Sequence, residues 1–197
     1  MSAEYSGVPL RAIAQLAKSW NFSEASFGMA ALNSYYATPS VANEHGFALA
    51  DAPWPHIFDP FREAVAGKKV AVIGHFPFAP KALNQAADFY MLERSLNEGD
   101  YPDSAAEYIL PECDYVFITG SAFVNKTAPR LLELSRESFN VVLGPSTPLA
   151  PVLLEDYGVS QVTGMVPTSP LAMFEGLSGT DAGTTMFDWG HRVELSA

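Results

Sequence analysis

Two periodicities alternate along most of the chain. Residues 70–74, VAVIG, form an unbroken run of β-branched and small residues after the charged pair Lys68-Lys69. Such a run predicts a strand buried on both faces, as in the middle of a parallel sheet. Similar runs predict strands at 89–92, 115–118 and 141–143, with a short fifth at 161–163. Between them, helical spacing predicts helices over 81–87, 104–110, 128–135, 150–157 and 171–175. The alternation predicts an α/β, Rossmann-like fold: a mostly parallel sheet with helices on both faces. The tail, 184–195, is expected to add an edge strand or exchange with a partner.

The first third reads differently. Leu10, Ile13, Leu16, Ala17 and Trp20 recur at helical spacing, with Pro9 placed for a first turn. A second helix is expected to start at Ser23 as N-cap, with Glu24 near its positive end. Phe22 and Phe27 stand where a hydrophobic staple would close around that cap. This helix runs to about Tyr36, giving a small N-terminal helical hairpin. Residues 37–60 carry Pro39, Pro53, Pro55 and Pro60 and predict an irregular linker or lid, packed by Trp54, Ile57 and Phe58. The expected division is 1–60, hairpin and linker, and 61–197, the Rossmann-like domain.

Charge narrows the partners. A formal net charge of −11 disfavours nucleic acid and anionic membrane, both of which attract basic surfaces. The single cysteine, Cys113, excludes an intramolecular disulfide and a multi-thiolate metal site. Cys113 precedes a strand at its amino-terminal end and reads as buried and inert. No apolar stretch reaches the roughly 18–20 residues that span a bilayer. The N-terminus lacks the basic start and apolar core of a signal peptide, so a cytoplasmic location is expected.

Candidate chemistry gathers at strand ends. Four loops, Gly74-His75-Phe76-Pro77, Glu93-Arg94, Thr119-Gly120-Ser121 and Gly144-Pro145-Ser146-Thr147, would meet at the carboxyl edge of a parallel sheet. Ligands bind at that edge in open α/β folds. The plain alternative makes Gly120 and Gly144 ordinary turns and Ser121, Ser146 and Thr147 helix caps. Glu93 lies at the spacing from Gly74 where an acidic residue grips ribose in dinucleotide folds. The glycine-rich fingerprint is missing, however, because His75 and Phe76 would block close approach of a pyrophosphate. Pro148 and Pro151 could open a helix that accepts an anion together with Ser146 and Thr147. His45, His56, His75 and His191 lie too far apart for a helical zinc motif. His75 with Glu93, Asp103 or Asp114 would offer imidazole and oxygen ligands suited to a divalent transition metal. The same groups would serve as a general acid–base pair. Ser121 lacks the G-x-S-x-G elbow of a serine hydrolase.

Three blocks, VAVIGHFPF, LERSLNEGDYPDSAAEYILPECDYVFITGSAFVNKT and VVLGPSTPLAP, resemble the DUF364 family, described as heavy-metal chelation proteins. The resemblance runs from about Asp59 to Glu175. SWNFSEASFGMAALN, residues 19–33, resembles the end of the companion DUF4213 domain, which has an enolase N-terminal-like fold. In the family the two parts form a cleft proposed as the active site. The resemblance places Gly74, Phe76, Pro77, Glu93, Arg94, Thr119, Gly120, Asn125, Thr127, Gly144, Pro145, Ser146 and Thr147 at motif positions. The strands that precede the hairpin in the family are missing from this sequence, which leaves a shortened N-terminal part.

Three functions compete on this reading. The first is a heavy-metal chelation or metal-chelate and small-molecule binding protein, with its site at the carboxyl edge and His75 and Glu93 as metal ligands. The second is a Rossmann-like enzyme for a nucleotide or adenosyl-type ligand, and the third a non-catalytic accessory protein. A homodimer is expected, because Leu10, Ile13, Trp20, Phe22 and Phe27 give the hairpin more apolar surface than it can bury alone.

Overall fold

The computed structural model describes residues 5–54, 56–178 and 186–197. Thr184 and Thr185, which open the expected tail element, and Pro55 lie outside them. The described strands are β1 (Ala48–Leu49), β2 (Lys69–Ile73), β3 (Asp88–Glu93), β4 (Tyr101–Pro102), β5 (Tyr115–Thr119), β6 (Phe139–Leu143), β7 (Gln161–Pro167) and β8 (Gly190–Ser196). They form one eight-stranded sheet in the order β1-β8-β7-β6-β5-β2-β3-β4. From β7 to β4 every pairing is parallel, as the continuous apolar runs require. The tail strand β8 lies antiparallel on β7, and β1 antiparallel on β8, so β1 forms the outer edge.

Alternation along each strand feeds two cores. Val70, Val72, Phe117, Val141 and Leu143 face Phe58, Phe61 and Leu83 on one side. Ala71, Val116, Ile118 and Val142 face Leu110, Leu131 and Leu153 on the other. Both faces of the central strands are therefore dry.

The helices are α1 (Leu10–Ala14), α2 (Phe22–Tyr36), α3 (Pro39–Glu44), α4 (Ala79–Ala82), α5 (Ala106–Ile109), α6 (Ala128–Leu134), α7 (Val152–Glu155) and α8 (Pro170–Leu177). Several crossovers are single turns where whole helices were expected. The expected helix over 81–87 ends at Ala82, because its second half turns back to bond the start of β2: Gly67 N–H donates to Gln85 O, and Ala87 N–H to Lys68 O. The N-cap of α2 is Asn21, not Ser23, since its Oδ1 accepts from Ser23 N at 3.0 Å and Glu24 N at 3.4 Å. Moving the cap displaces the staple: Phe22 is exposed, and Phe27 packs instead on Tyr5 with ring centroids 5.5 Å apart. The segment read as an irregular linker carries α3, β1 and a 3₁₀ turn at His56–Phe61, and Ala42, Phe47, Trp54, Ile57 and Phe58 are buried. Among the described residues no helix is long and apolar enough to cross a membrane.

Candidate functional site

Each parallel strand delivers its last residues to the same edge. β3 and β4 lie to one side of β2, and β5, β6 and β7 to the other, so the chain reverses direction across the sheet between β2 and β5. A cavity of about 330 Å³ opens there. That is the crevice position expected of an open α/β sheet. Gly74, Glu93, Arg94, Thr119, Ser121, Asn125 and Thr127 line it together with Ile73, Leu92 and Asp103. The opposite wall is Ser104, Ala106, Glu107, Ala122, Arg130, Leu131 and Leu134, from α5, α6 and their approaches. Apart from Ser104, Ala106, Glu107 and Ala122, which fall inside the second resembling block, this wall carries no motif, and sequence reading named none of it as a site. Its one sequence signal is Arg130 with Glu133, an i, i+3 ion pair in which Arg130 also bonds Glu107.

The wall residues hold one another in place. Glu93 Oε2 accepts the His75 backbone N–H at 3.0 Å, and Oε1 accepts those of Arg94 and Ser95 at 2.6 and 3.3 Å. Arg94 Nε reaches Asp103 at 3.1 Å. Thr119 Oγ1 and Ser121 Oγ are 2.8 Å apart, and Asn125 Oδ1 accepts both the N–H and the hydroxyl of Thr127. His75 stands outside the lining. Its Nδ1 pairs with Asp100 at 3.0 Å, and the Asp100 side chain has no exposed area. Burial opposes charge on Asp100, but the Asn97 N–H and the His75 ring outweigh it and hold its carboxyl below the usual range.

Other expected site residues lie elsewhere. Phe76 packs in a cluster with Phe58 and Phe78. Pro77 is exposed and outside the cavity. Gly120 and the loop Gly144-Pro145-Ser146-Thr147 form an internal joint instead of a wall. Ser146 O accepts Asn33 Nδ2 at 2.8 Å, tying the β6 loop to α2. The Thr147 hydroxyl is buried and has no partner among the described residues. No helix opens on Ser146 and Thr147 to take an anion, because α7 begins at Val152 and is a single turn. Asp114 is at the amino edge with Cys113, where it accepts the Lys69 N–H at 2.9 Å, far from His75 along the strands. Burial pushes the Cys113 thiol up to about 11, which keeps it a thiol at neutral pH.

Among the described residues no three His, Cys, Asp or Glu side chains converge to hold an ion. Both Glu93 oxygens are taken by backbone N–H groups, and one His75 nitrogen is taken by Asp100. These residues do not fit a preformed metal centre.

The DUF364 family model, described as "Putative heavy-metal chelation", matches residues 56–193. A second model with the same description, DUF4213, matches residues 1–36. A crystal structure of a DUF364-family protein of unknown function from Desulfitobacterium hafniense is 45% identical, with a TM-score of 0.88. That likeness covers 97% of this chain and 76% of the other. A DUF364-family structure from Pyrococcus horikoshii, also of unknown function, is 23% identical with a TM-score of 0.78, over 95% of this chain and 75% of that one. An uncharacterised protein of Methanocaldococcus jannaschii is 29% identical over 101 residues, 48% of this chain but only 39% of that protein.

Proposed function

The chain belongs to the DUF364 family, and from that premise we propose that it binds a small organic molecule, alone or carrying a metal ion, in the cavity at the ends of β2, β3 and β5. One observation carries this reading. A cavity of small-ligand size gathers residues from three separate strand ends, including motif positions Gly74, Glu93, Arg94, Thr119, Asn125 and Thr127. Its lining is apolar at Ile73, Leu92, Ala122 and Leu131, and it also carries hydroxyls and two arginines already balanced by carboxylates. That favours a compact, largely uncharged body with a few hydrogen-bonding groups. A metal would then travel as cargo, with most of its ligands on the bound molecule. The adenosyl reading is less favoured, because the Glu93 oxygens that would take ribose hydroxyls already accept three N–H groups.

Ser121→Trp fills the cavity from an exposed position. Native mass spectrometry with metal analysis, on protein purified without an affinity tag, should show a small-molecule adduct that the variant loses. Rebinding of the released molecule should weaken roughly 100-fold while the melting temperature stays close to wild type, as for surface changes. An adduct retained by Ser121→Trp moves the site elsewhere.

The same reading includes a homodimer through the hairpin. Trp20 is 80% exposed, and Leu10 and Phe22 are also exposed. Light scattering at micromolar concentration should give twice 21.3 kDa, falling to one chain in Trp20→Ser. A single-chain mass for the wild type rejects the dimer.

A further inference from the structure

The lining of the cavity at the ends of β2, β3 and β5 is unequal in what it can still donate and accept. Most of its carboxylate oxygens are committed. Glu93 Oε1 and Oε2 take three backbone N–H groups between them. Glu107 Oε1 and Oε2 take Arg130 Nε and Nη2, and Arg130 Nη1 goes to Glu133. Asp103 Oδ2 takes Arg94 Nε, which leaves its Oδ1 without a partner among the described residues.

The donors are less committed. Asn125 shows this most clearly, because its orientation is fixed by chemistry. The Thr127 backbone N–H, 3.1 Å away, can only donate, so the Asn125 atom facing it is the oxygen. The Thr127 hydroxyl lies 2.6 Å from the same oxygen. That leaves Nδ2, with two N–H groups and no partner among the described residues, on a half-buried side chain of the lining. Arg94 spends only Nε on Asp103, so both of its terminal nitrogens are also unpaired among the described residues. Its side chain is 48% exposed, so these donors are accessible and not sealed in the core.

Charge limits the ligand from the other side. Two arginines stand in the lining against three carboxylates, Glu93, Asp103 and Glu107. A carboxylate brought to Arg94 would meet Asp103, already paired there at 3.1 Å, inside a lining of net negative charge. An amine meets the opposite difficulty, because it brings donors to a lining whose unspent groups are mostly donors. Water serves such donors at an open surface. A ligand that covers them must accept from them in its place or leave them unmet.

We propose that this cavity selects an uncharged, flat molecule whose polar edge is made of hydrogen-bond acceptors, the carbonyl oxygens of an amide, lactam or imide, taken by Asn125 Nδ2 and Arg94. The inference rests on the cavity reading proposed above and narrows it to one class of ligand. Apolar side chains from both walls, Ile73 and Leu92 at the strand ends and Ala106, Leu131 and Leu134 on α5 and α6, take the faces of its ring. A volume of about 330 Å³, near the low end of small-ligand sites, keeps the body compact.

The test is an NMR titration of the full chain with probes that share a benzene ring: N,N-dimethylbenzamide, benzoate and benzylammonium. The amide should shift the Asn125 side-chain N–H and Arg94 Nε–H resonances saturably. It should bind roughly tenfold tighter than either charged probe. Asn125→Asp keeps the oxygen that Thr127 needs and turns the free donor into an acceptor. It should weaken the amide roughly tenfold and strengthen benzylammonium. Arg94→Met, at an exposed position, should weaken the amide several-fold. Ser121→Trp should abolish binding of every probe seated in the cavity. A charged probe that outbinds the amide and is lost in Ser121→Trp overturns this inference and leaves the cavity reading standing. Amide binding that survives Ser121→Trp lies elsewhere and overturns both. No saturable shift with the amide, or an amide affinity in Asn125→Asp equal to wild type, also overturns the inference.

Discussion

Gly120→Ala should lower the melting temperature by roughly 6–12 °C, the equivalent of about 3 kcal/mol in a chain of this size. Gly120 begins the 3₁₀ turn that follows β5, and its bare α-carbon presses on the loop after β6. A Cβ there would lie 2.5 Å from Thr147 N and 2.7 Å from Ser146 C and Thr147 Cα. All three are backbone atoms, so no rotamer change relieves the clash. The β5 and β6 loops would have to separate, and Ser146 O is held by Asn33 Nδ2 from α2. The strain therefore reaches the N-terminal hairpin as well as the cavity wall at Thr119 and Ser121. Gly158→Ala is the control: its φ is +64°, but nothing lies within 4 Å of the added carbon. That control should lose only about 1 kcal/mol to the strained dihedral. Thermal unfolding followed by circular dichroism measures both. Equal losses for the two variants would show that the close approach of the loops contributes nothing.

The same packing explains what the sequence could and could not announce. The four central strands were legible because burial on both faces demands uninterrupted apolar runs, and their parallel pairing follows from the helical segments between them. Strand β1 was invisible: two residues, Ala48 and Leu49, owe their extended form to pairing with Val193 and Glu194, not to local preference. The short α4 was over-read for a related reason. Backbone bonds to neighbouring strands, such as Gly67 N–H to Gln85 O, won over helical propensity. At the cavity, strand-end loops announced one wall through glycines and hydroxyls. The other wall is helix surface, where Ala106 and Leu131 look like any core residue. Gly144 to Thr147 carried the same polar signature as the lining loops but serve as a joint, a distinction that only distances make. Trp54 and Arg192, far apart in the chain, line one smaller cavity of about 200 Å³, and no spacing rule connects them.

Gly28→Ala should have an effect opposite in sign to its local one. Gly28 sits inside α2, where alanine is normally worth about 1 kcal/mol more to a helix than glycine. In an isolated hairpin the substitution would strengthen α2. In this structure a Cβ at Gly28 would stand 1.9 Å from Ala17 N, 2.5 Å from Leu16 C and 2.6 Å from Ala17 Cα. The 3₁₀ segment Gln15–Lys18 thus lies backbone-on-backbone across α2, and only glycine leaves room for it. The expected result is detachment of that segment, with a loss of several kcal/mol that overwhelms the helix gain. Detachment would also free the loop after β5, because Lys126 Nζ donates to Ala17 O. Lys126 holds a left-handed φ of 68°, an uncommon conformation for a residue with a side chain. Asn125 and Thr127 beside it line the first cavity, so ligand affinity there should fall together with hairpin order. Limited trypsin digestion reads the hairpin directly: cleavage after Arg11 and Lys18 should accelerate at least tenfold, while the sheet resists. A Gly28→Ala protein as stable and as protease-resistant as wild type would mean that the hairpin is not held by this contact.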